Sequence, residues 1–300
     1  MNYKSVFRSQ SLRVKILKLL NWIPDSLMLR IQYRIKMGYW PSFKHPKRFT
    51  EKLQLYKMRY RNPKMSQCVD KYDVREYVEG KGLGHILNEL LGIYNSFEEI
   101  DFVNLPNQFV IKSTTGGGGL NVIVVKDKQR CDKEIIRQQI ASWNIHTPGM
   151  ISSGREWAYK NMPRTRIIIE RYLEDSTGAG KLSDYKLMIF NGRFKLLWVD
   201  RDRYSNHHRG FWDENLNFMP DVYSDHETFT TPPELPDNIN EMIKVAEVLS
   251  ADFPYSRVDL YNCQGKIFFG EITFYPWSGY VKFTPDSFDI KLGNYFTLYQ

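Results

Sequence analysis

Short stretches in which apolar and polar residues alternate predict most of the β structure of this chain. Such alternation is typical of strands with one buried face. It occurs at residues 109–113, 121–125, 166–173, 185–200, 255–262 and 265–275. The fourth stretch contains Asn191–Gly192, a dipeptide that favours a tight hairpin turn. The sequence therefore predicts hairpins rather than parallel β–α–β units.

Helical spacing of apolar residues predicts helices at residues 46–60, 69–82, 133–143 and 238–250. We expect Thr50 to cap the first of these helices and Gly80 or Gly82 to end the second. Residues 205–236 are rich in Pro, His, Asp and Thr and predict a long irregular excursion. Segregated hairpins and helices together indicate an α+β fold.

The basic charge is concentrated near the N-terminus. Residues 1–64 contain 16 Lys and Arg against Asp25 and Glu51, a net charge of +14, and the remaining residues have a net charge of −6, which gives +8 overall. A helix over residues 3–23 would place a basic stripe beside an apolar arc. This pattern favours an anionic membrane surface or, alternatively, packing on the domain behind it. No nucleic acid is expected, since no recognition motif accompanies the charge.

Other classes are disfavoured by what the chain lacks. No run of about 18 apolar residues is present, and residues 16–23 do not have the form of a signal peptide. Three separated cysteines predict reduced thiols, and no ligand spacing predicts zinc. We expect a cytoplasmic protein, at the inner face of the membrane if the basic segment binds lipid.

The stretch "FVIKSTTGGGGLNVIVV" begins at Phe109 and contains four consecutive glycines. A P-loop would need Lys-Ser/Thr and a helix after the glycines, but a strand-like run follows Gly119. Two strands around a glycine tip predict a flap whose N–H groups can close over phosphate, with a plain hairpin tip as the alternative. Lys112, in the first strand, is expected to meet an anion.

The last two predicted strands carry charged residues on matching faces. Arg257 and Asp259 share a face of one strand, and Glu271 and Thr273 share a face of the next. A hairpin would bring Asp259 and Glu271 together, where two carboxylates with no cation between them would repel. Magnesium held by these carboxylates and by substrate phosphates would remove the repulsion. A solvated strand face is the alternative.

Six segments in this order resemble the TupA-like branch of the ATP-grasp superfamily, named for teichuronopeptide synthesis: "HPKRFTEKLQLYK", "DKYDVREYV", "LPNQFVIK" with the glycines, "IIIERYLED", "DYKLMIFNG" and "RVDLYN…FGEITFYPWSG". The resemblance runs from about residue 40. It implies an ATP-grasp fold of two α+β subdomains that clamp ATP, preceded by a basic helical segment. The implied divisions are that segment (1–64), the start of the core (65–108), a small subdomain with flap and adenine hinge (109–183) and a large subdomain with the magnesium site (184–300).

The resemblance also implies the nucleotide contacts. The residues expected to contact ATP phosphates or adenine N7 are Lys71 and Lys112. The flap over the β- and γ-phosphates would be Gly116, Gly117, Gly118 and Gly119. The adenine hinge would be Glu170, Arg171 and Leu173. Asp184 would bind the ribose hydroxyls.

The implied catalytic residues are Lys186, which would contact phosphate or substrate, and Arg257, which would stabilise the transferring phosphate or a tetrahedral intermediate. Asp259 and Glu271 would hold magnesium. The superfamily usually has Asn where this chain has Thr273, which puts a second metal position in doubt. The acceptor is expected at the turn of Ser278 and Gly279. Arg201 and Arg203 are candidates for holding an acid, or alternatively form surface ion pairs.

Superfamily chemistry implies an ADP-forming carboxylate–amine ligase. The expected acid is a hexuronic acid of a capsule or O-antigen unit, and the expected amine is an amino acid or amino alcohol. Three alternatives stay open. They are a glycan kinase with the same ATP site, a glycosyltransferase, and a non-catalytic membrane-docked protein that binds anionic glycan. The glycosyltransferase lacks an isolated D-x-D suited to a sugar nucleotide, because the "DRD" at 200–202 lies among arginines.

Overall fold

The computed structural model describes residues 20, 22–116, 121–143, 154–160, 162, 165–174, 182–201 and 207–298. Its helices are α1 (Asp25–Met37), α2 (Phe49–Arg59), α3 (Pro63–Val69), α4 (Val74–Gly80), α5 (Lys133–Ser142), α6 (Ile239–Ser250) and α7 (Ser287–Tyr295). Its strands are β1 (Leu90–Tyr94), β2 (Phe109–Ser113), β3 (Val122–Val125), β4 (Ile167–Arg171), β5 (Asp184–Phe190), β6 (Arg193–Arg201), β7 (His208–Trp212), β8 (Tyr255–Cys263) and β9 (Lys266–Thr273). Most of the helix expected over residues 3–23 lies outside this description. No described helix has the length and apolar content needed to cross a membrane.

The smaller sheet has the order β1-β4-β2-β3, with every pair antiparallel. Phe109 and Ile111 are buried together with Ile136 and Ile140 of α5, so one face of this sheet packs on that helix. The predicted alternation in β2 is therefore confirmed. Strand β1 was not predicted from the sequence, and it extends the sheet back to Leu90, ahead of the expected start of the small subdomain at residue 109.

The larger sheet has the order β7-β6-β5-β8-β9, also antiparallel. All seven residues of β5 are buried, as expected for the central strand. The hairpin turn at Asn191–Gly192 is confirmed, with both residues at positive φ. Strand β7 contradicts the expectation that residues 205–236 are wholly irregular. It pairs with β6 from Arg201↔His208 to Leu197↔Trp212.

The predicted N-cap of α2 is wrong. The helix begins at Phe49, one residue before Thr50, and Glu51 accepts the backbone N–H groups of Lys47 and Arg48 at 3.0 and 3.1 Å. Thr50 donates instead to Oδ2 of Asp289 on α7 at 2.6 Å, within the protein. A tertiary contact therefore takes the hydroxyl that sequence pattern assigned to the helix end.

The single helix predicted over residues 69–82 is divided. Helix α3 ends at Val69, and Oδ1 of Asp70 accepts the backbone N–H groups of Tyr72 and Asp73 at 2.8 and 3.0 Å. Such a side-chain turn competes with helix formation. The second part, α4, ends at Gly80 as expected. The intervening turn projects Lys71 toward the cleft between the two sheets.

Candidate active site

A row of side chains crosses one face of the larger sheet. Lys186 of β5 lies opposite Trp198 of β6 and Asp259 of β8, and Asp259 lies opposite Glu271 of β9. Directly opposed residues of adjacent strands point to the same face. The predicted pairing of Asp259 with Glu271 is therefore confirmed, and Lys186 and Trp198 extend the row across four strands.

Arg257 lies between the two carboxylates of this row. Its Nε and Nη2 donate to the two carboxylate oxygens of Asp259 at 2.6 and 2.7 Å. Nη2 also donates to Oε1 of Glu271 at 3.0 Å and to Oγ1 of Thr273 at 3.1 Å. The repulsion that the argument for magnesium assumed is therefore already relieved by Arg257, which binds both carboxylates.

Lys186 is the second cation of the row. Its Nζ donates to Oδ2 of Asp259 at 2.6 Å and also binds the carboxylate of Asp184. All three side chains are buried. Asp184 is thus held against the sheet and does not line the cavities described below. Its expected contact with ribose stays a prediction.

The two carboxylates differ in their electrostatic surroundings. Burial alone would raise the pKa of Glu271, but the charges of Arg257, Lys186 and Lys71 and a hydrogen bond from Thr273 lower it to about 2. Burial raises the pKa of Asp259 to about 6, against the opposing effect of Arg257 and Lys186. Both groups are therefore predominantly ionised at neutral pH and able to bind a cation.

A cavity of about 360 Å³ opens over this row. Both sides of the cleft contribute to its lining, including Lys71, Gly116, Lys186, Arg257, Glu271 and Thr273. Nζ of Lys71 donates to the carbonyl oxygen of Gly116 at 2.6 Å, and burial lowers the pKa of this lysine. Gly116 has φ +104°, which favours glycine. Gly117, Gly118 and Gly119 of the expected flap lie outside the described residues.

A second cavity of about 20 Å³ lies beside the first and is lined by Lys71, Lys112, Glu170 and Phe269, among others. Nζ of Lys112 donates to Oε2 of Glu170 at 2.6 Å, and Arg75 approaches the other carboxylate oxygen at 3.4 Å. Lys112 does meet an anion, but here the anion is Glu170. A space of this size holds about one water, so a purine would require these side chains to separate.

The other expected hinge residues lie at the end of β4. Arg171 is half exposed and its guanidinium contacts Glu89. The backbone N–H of Arg171 donates to the carbonyl oxygen of Glu89 at 3.1 Å, and the carbonyl oxygen of Arg171 accepts from Nδ2 of Asn88 at 2.8 Å. Leu173 follows the strand and is partly buried. The backbone of Arg171 is therefore bonded within the protein, and a role in adenine recognition stays a prediction for both residues.

The turn Trp277–Gly279 borders the larger cavity in an unusual backbone conformation. Trp277, Ser278 and Gly279 have φ values of 49°, 54° and 69°, and only the last is a glycine. Left-handed conformations of other residues cost energy and occur often at functional sites. Nε2 of Gln54 on α2 donates to the carbonyl of Gly279 at 2.8 Å. Of these residues, Trp277 and Ser278 line the cavity.

Two charged residues that sequence reasoning missed hold Ser278 in place. Nζ of Lys57 donates to the carbonyl oxygen and Oγ of Ser278 at 2.6 and 3.0 Å, and Oγ of Ser278 donates to Glu156 at 2.5 Å. Burial lowers the pKa of Lys57 to about 7. One feature of the sequence could have revealed this role. Lys57 directly follows the buried Tyr56 of α2, and a lysine is rarely buried unless its ammonium group has a partner.

Arg209 is the other functional candidate that the sequence did not reveal, because it lies in the supposedly irregular region. It lines the large cavity, donates to Oδ1 of Asp200 at 2.6 Å, and stacks over the rings of Trp198 and Trp277 at 4.6 and 5.3 Å from their centroids. Those two rings stack on each other with centroids 4.2 Å apart. Nε1 of Trp198 is buried without a hydrogen-bond partner among the described residues.

Of the two arginines expected to hold an acid, Arg201 does not reach this cavity. Arg201 is exposed and donates to Oγ of Ser183 at 2.9 Å, and it is absent from the cavity lining. The reason is strand alternation, since Arg201 points away from the face that carries Asp200. Arg203 lies outside the described residues.

The family model for "TupA-like ATPgrasp" matches residues 51–297. The chain belongs to this family. The ATP-grasp fold that the sequence resemblance implied is therefore confirmed, with α+β architecture built on two antiparallel sheets. No curated protein matches the chain.

Solved structures similar to the chain include ATP-grasp ligases. A D-alanine–D-alanine ligase from Bacillus anthracis has TM-score 0.43 and 18% identity, over 70% of this chain and 58% of that chain. An L-amino acid ligase from Bacillus licheniformis has TM-score 0.42 and 13% identity, over 77% and 48%. The ATP-grasp ligase PsnB, complexed with a precursor variant, Mg and ADP, has TM-score 0.41 and 10% identity, over 75% and 57%. The chain thus spans about half of these proteins.

Proposed function

We propose that this protein is an ATP-dependent carboxylate–amine ligase of surface polysaccharide biosynthesis, which forms an amide on a uronic acid. The observation that carries the proposal is the cavity lined by Lys71, Lys186, Arg257 and the ionised Glu271. Asp259 lies buried behind this lining, where Arg257 and Lys186 bind its carboxylate. Phosphoryl transfer from ATP depends mainly on positioning and on neutralising negative charge, which this set of residues can supply. The polysaccharide pathway is proposed from the family's name.

The reaction would occur in two steps. A carboxylate oxygen of the acid attacks the γ-phosphorus of ATP, the bond to the β-phosphate oxygen breaks, and ADP leaves. The amine nitrogen then attacks the carbonyl carbon of the acyl phosphate. Phosphate leaves with the attacking oxygen, and the nitrogen loses a proton. Arg257, with Lys186 beside it, would stabilise the negative charge that develops in both steps.

Asp259 and Glu271 are the proposed magnesium ligands. Magnesium is commonly bound by one or two carboxylates together with substrate phosphates, and the described residues contain no larger cluster of metal-binding side chains. Glu271 fits this role because it lines the cavity with 36% of its side chain exposed. Thr273 adds only a hydroxyl. Bound magnesium would neutralise phosphate charge, and Arg257, which now bridges the carboxylates, would turn toward the phosphates.

The nucleotide would occupy both cavities. Lys71 and Lys112 would contact its phosphates, with the backbone of Gly116 and the following glycines above them. Because Lys112 and Glu170 are paired across the smaller cavity, binding of adenine must exchange this ion pair for contacts with the nucleotide. Glu170 would then take part in recognising the base.

For the acid substrate, we propose the end of the larger cavity formed by Trp277 and Arg209. Aromatic walls with a few fixed polar groups are typical of small-molecule sites. Trp198 and Ser278 also line the cavity. This position replaces the expectation for Arg201, whereas the role expected of Arg203 stays a prediction.

The alternative functions differ from the ligase in their products, and a structural detail disfavours one of them. A glycan kinase would use the same ATP site and give a stable phosphate ester. A glycosyltransferase would use the D-x-D at 200–202, but Asp200 is buried and bound by Arg209 and His207, so it is poorly placed to bind a sugar nucleotide through a metal. A non-catalytic glycan-binding protein would show no response to ATP.

A phosphate-release screen over uronic acids and amines, with ATP and magnesium, tests the proposal. We expect release only when acid and amine are both present. Asp259→Asn should lower the rate by about 100-fold or more, because it removes a charge at the reacting phosphates. Asp252→Asn is the matched control, since Asp252 binds Lys64 and Lys81 outside both cavities.

Other outcomes would identify the rivals. A phosphorylated glycan formed without amine would establish the kinase. Release of a nucleoside diphosphate from a sugar nucleotide would establish the transferase. Two results together would contradict the ligase proposal. ATP with magnesium does not raise the melting temperature of the protein, and no acid tested leads to consumption of ATP.

A further inference from the structure

The described part of the basic segment carries an apolar stripe that is exposed on the surface of helix α1. Helix α1 exposes Leu27 and Ile35, by 50% and 51%, and Ile31 between them is partly buried. These residues are spaced by four, so they lie along one face of the helix. Met28, Leu29 and Tyr33 form the opposite, buried face.

Tryptophans flank this stripe at both ends of α1. Trp22 is 80% exposed and Trp40 is 62% exposed. Among the described residues, nine large apolar or aromatic side chains are notably exposed, and four of them fall between residues 22 and 40. The other five are dispersed from Val103 to Val248. Such a concentration marks an interaction surface, whereas scattered single residues need no explanation.

The helix that carries the stripe is basic. It contains Arg30, Arg34 and Lys36 against one acid, Asp25. Arg155 binds Asp25 at 2.7 Å, and Glu51 accepts backbone N–H groups. The negative charges of these two acids are therefore already satisfied within the protein. Arg34 is exposed and lies within the apolar stripe itself.

We infer that this stripe, Leu27, Ile31 and Ile35 with Trp22 and Trp40, is a docking surface for an anionic membrane. Basic residues are attracted to anionic headgroups, and tryptophan prefers the interface between headgroups and acyl chains. A soluble polyanion would satisfy the basic residues but would bury none of the apolar ones. A lipid surface satisfies both, and α1 is long enough, at 13 residues, to lie along it.

Apart from Trp22, the surface differs from the one expected from sequence, which was residues 1–23. It also does not depend on the proposed ligase activity. If α1 docks on lipid, the enzyme is held at the membrane by a helix that packs against its catalytic domain. This link is direct, because Gln32 of α1 accepts from the hydroxyl of Tyr280, just after the Trp277–Gly279 turn, at 2.8 Å.

Vesicle cosedimentation tests the inference. We expect the full chain to bind vesicles of equal parts phosphatidylglycerol and phosphatidylcholine at low salt, and to bind pure phosphatidylcholine far more weakly. The double variant Leu27→Gln/Ile35→Gln should lose about tenfold or more in affinity, because it removes two inserting side chains. Glutamine keeps helix propensity, and an unchanged melting temperature would show that the variant folds.

The matched control is Val103→Gln/Val248→Gln, which removes two exposed apolar residues elsewhere, 82% and 42% exposed. It should bind vesicles as the natural chain does. A chain lacking residues 1–19 separates the two candidate surfaces, and it should retain the binding that α1 provides.

Several results would overturn the inference. These are no binding to anionic vesicles, equal loss in the control variant, or full binding by the Leu27→Gln/Ile35→Gln variant. Concentration-dependent dimers that this variant abolishes, without vesicle binding, would instead assign the stripe to a second copy of the chain. Binding to a soluble acidic polysaccharide that competes fully with vesicles would assign the charge to a polymer.

Discussion

Arg257 stabilises two neighbouring carboxylates of the site by donating hydrogen bonds to both. Sequence spacing correctly placed Asp259 and Glu271 on paired strands, since strand alternation and hairpin register suffice for that. It could not place the guanidinium between them, because a side chain's rotamer depends on all of its neighbours. Here the neighbours are the ring of Trp198, 4.7 Å from the guanidinium carbon, and the hydroxyl of Thr273. The guanidinium therefore relieves the repulsion between the two carboxylates.

Lys57 gives a prediction at the same scale. Its pKa is lowered from 10.5 to about 7, first by burial and also by the charge of Lys36, against the opposing charge of Glu156. Between these two pH values the unfolded chain holds a proton that the folded chain has released. Lys57 therefore makes the free energy of unfolding rise with pH between about 7 and 10.5, by up to about 1.4 kcal/mol per pH unit. Below about pH 7 the contribution of Lys57 does not change with pH.

Lys57→Met removes this contribution. Relative to the natural chain, we expect the variant to lose stability progressively as pH rises from 7 to 9.5, as measured by urea unfolding at each pH. Lys64→Met, at a half-exposed lysine, should follow the natural chain at all pH values. Parallel pH profiles for Lys57→Met and the natural chain would show that Lys57 is not buried as described.

At the scale of elements, local patterns predicted helices and strands well where the chain forms its own contacts. The turn at Asn191–Gly192 and the end of α4 at Gly80 are examples. The failures have tertiary causes. Strand β7 pairs with β6 and also forms bridges to Glu227 and Phe218, and Thr50 binds a carboxylate of α7 instead of capping its own helix. Glu227 and α7 both lie outside a local window of sequence around the residues that they bind.

The Trp277–Gly279 turn gives the prediction at this scale. A Cβ on Gly279 would lie 2.4 Å from Nε2 of Gln54 and 3.1 Å from Cβ of Leu53, at φ +69°. Gly192 has a similar φ of +75°, but its Cβ would meet nothing within 4 Å. We expect Gly192→Ala to cost about 1–2 kcal/mol of unfolding free energy from backbone strain alone. Gly279→Ala should cost about 2–4 kcal/mol, because overpacking against α2 adds to the strain.

Urea unfolding of both variants measures this difference. Because α2 also carries Lys57, displacement of the turn should alter the position of Ser278 and lower the rate of phosphate release in the Gly279→Ala variant alone. Equal destabilisation by the two substitutions would mean that the turn does not press on α2.

At the scale of the whole molecule, six segments in order were sufficient to predict the fold, and the family match confirms it. The candidate site was predicted in part. Residues on regular strands, such as Lys186 and Glu271, line the cavity, whereas Arg201 does not. Arg209 lies on β7, a strand that the sequence did not predict, and Glu156 lies outside the regular elements, so only the folded chain reveals them. The cleft between the sheets is thus where sequence reasoning was least informative.

The central claim is that a carboxylate is activated by ATP, and oxygen transfer tests it most directly. An acid found active in the phosphate-release screen is labelled with ¹⁸O in its carboxylate and incubated with ATP, magnesium and amine. Attack by this carboxylate, followed by displacement by the amine, must leave one labelled oxygen in each released phosphate. Mass spectrometry of the phosphate reports this transfer. Phosphate released without label, or label retained in a phosphorylated glycan, would contradict the claim.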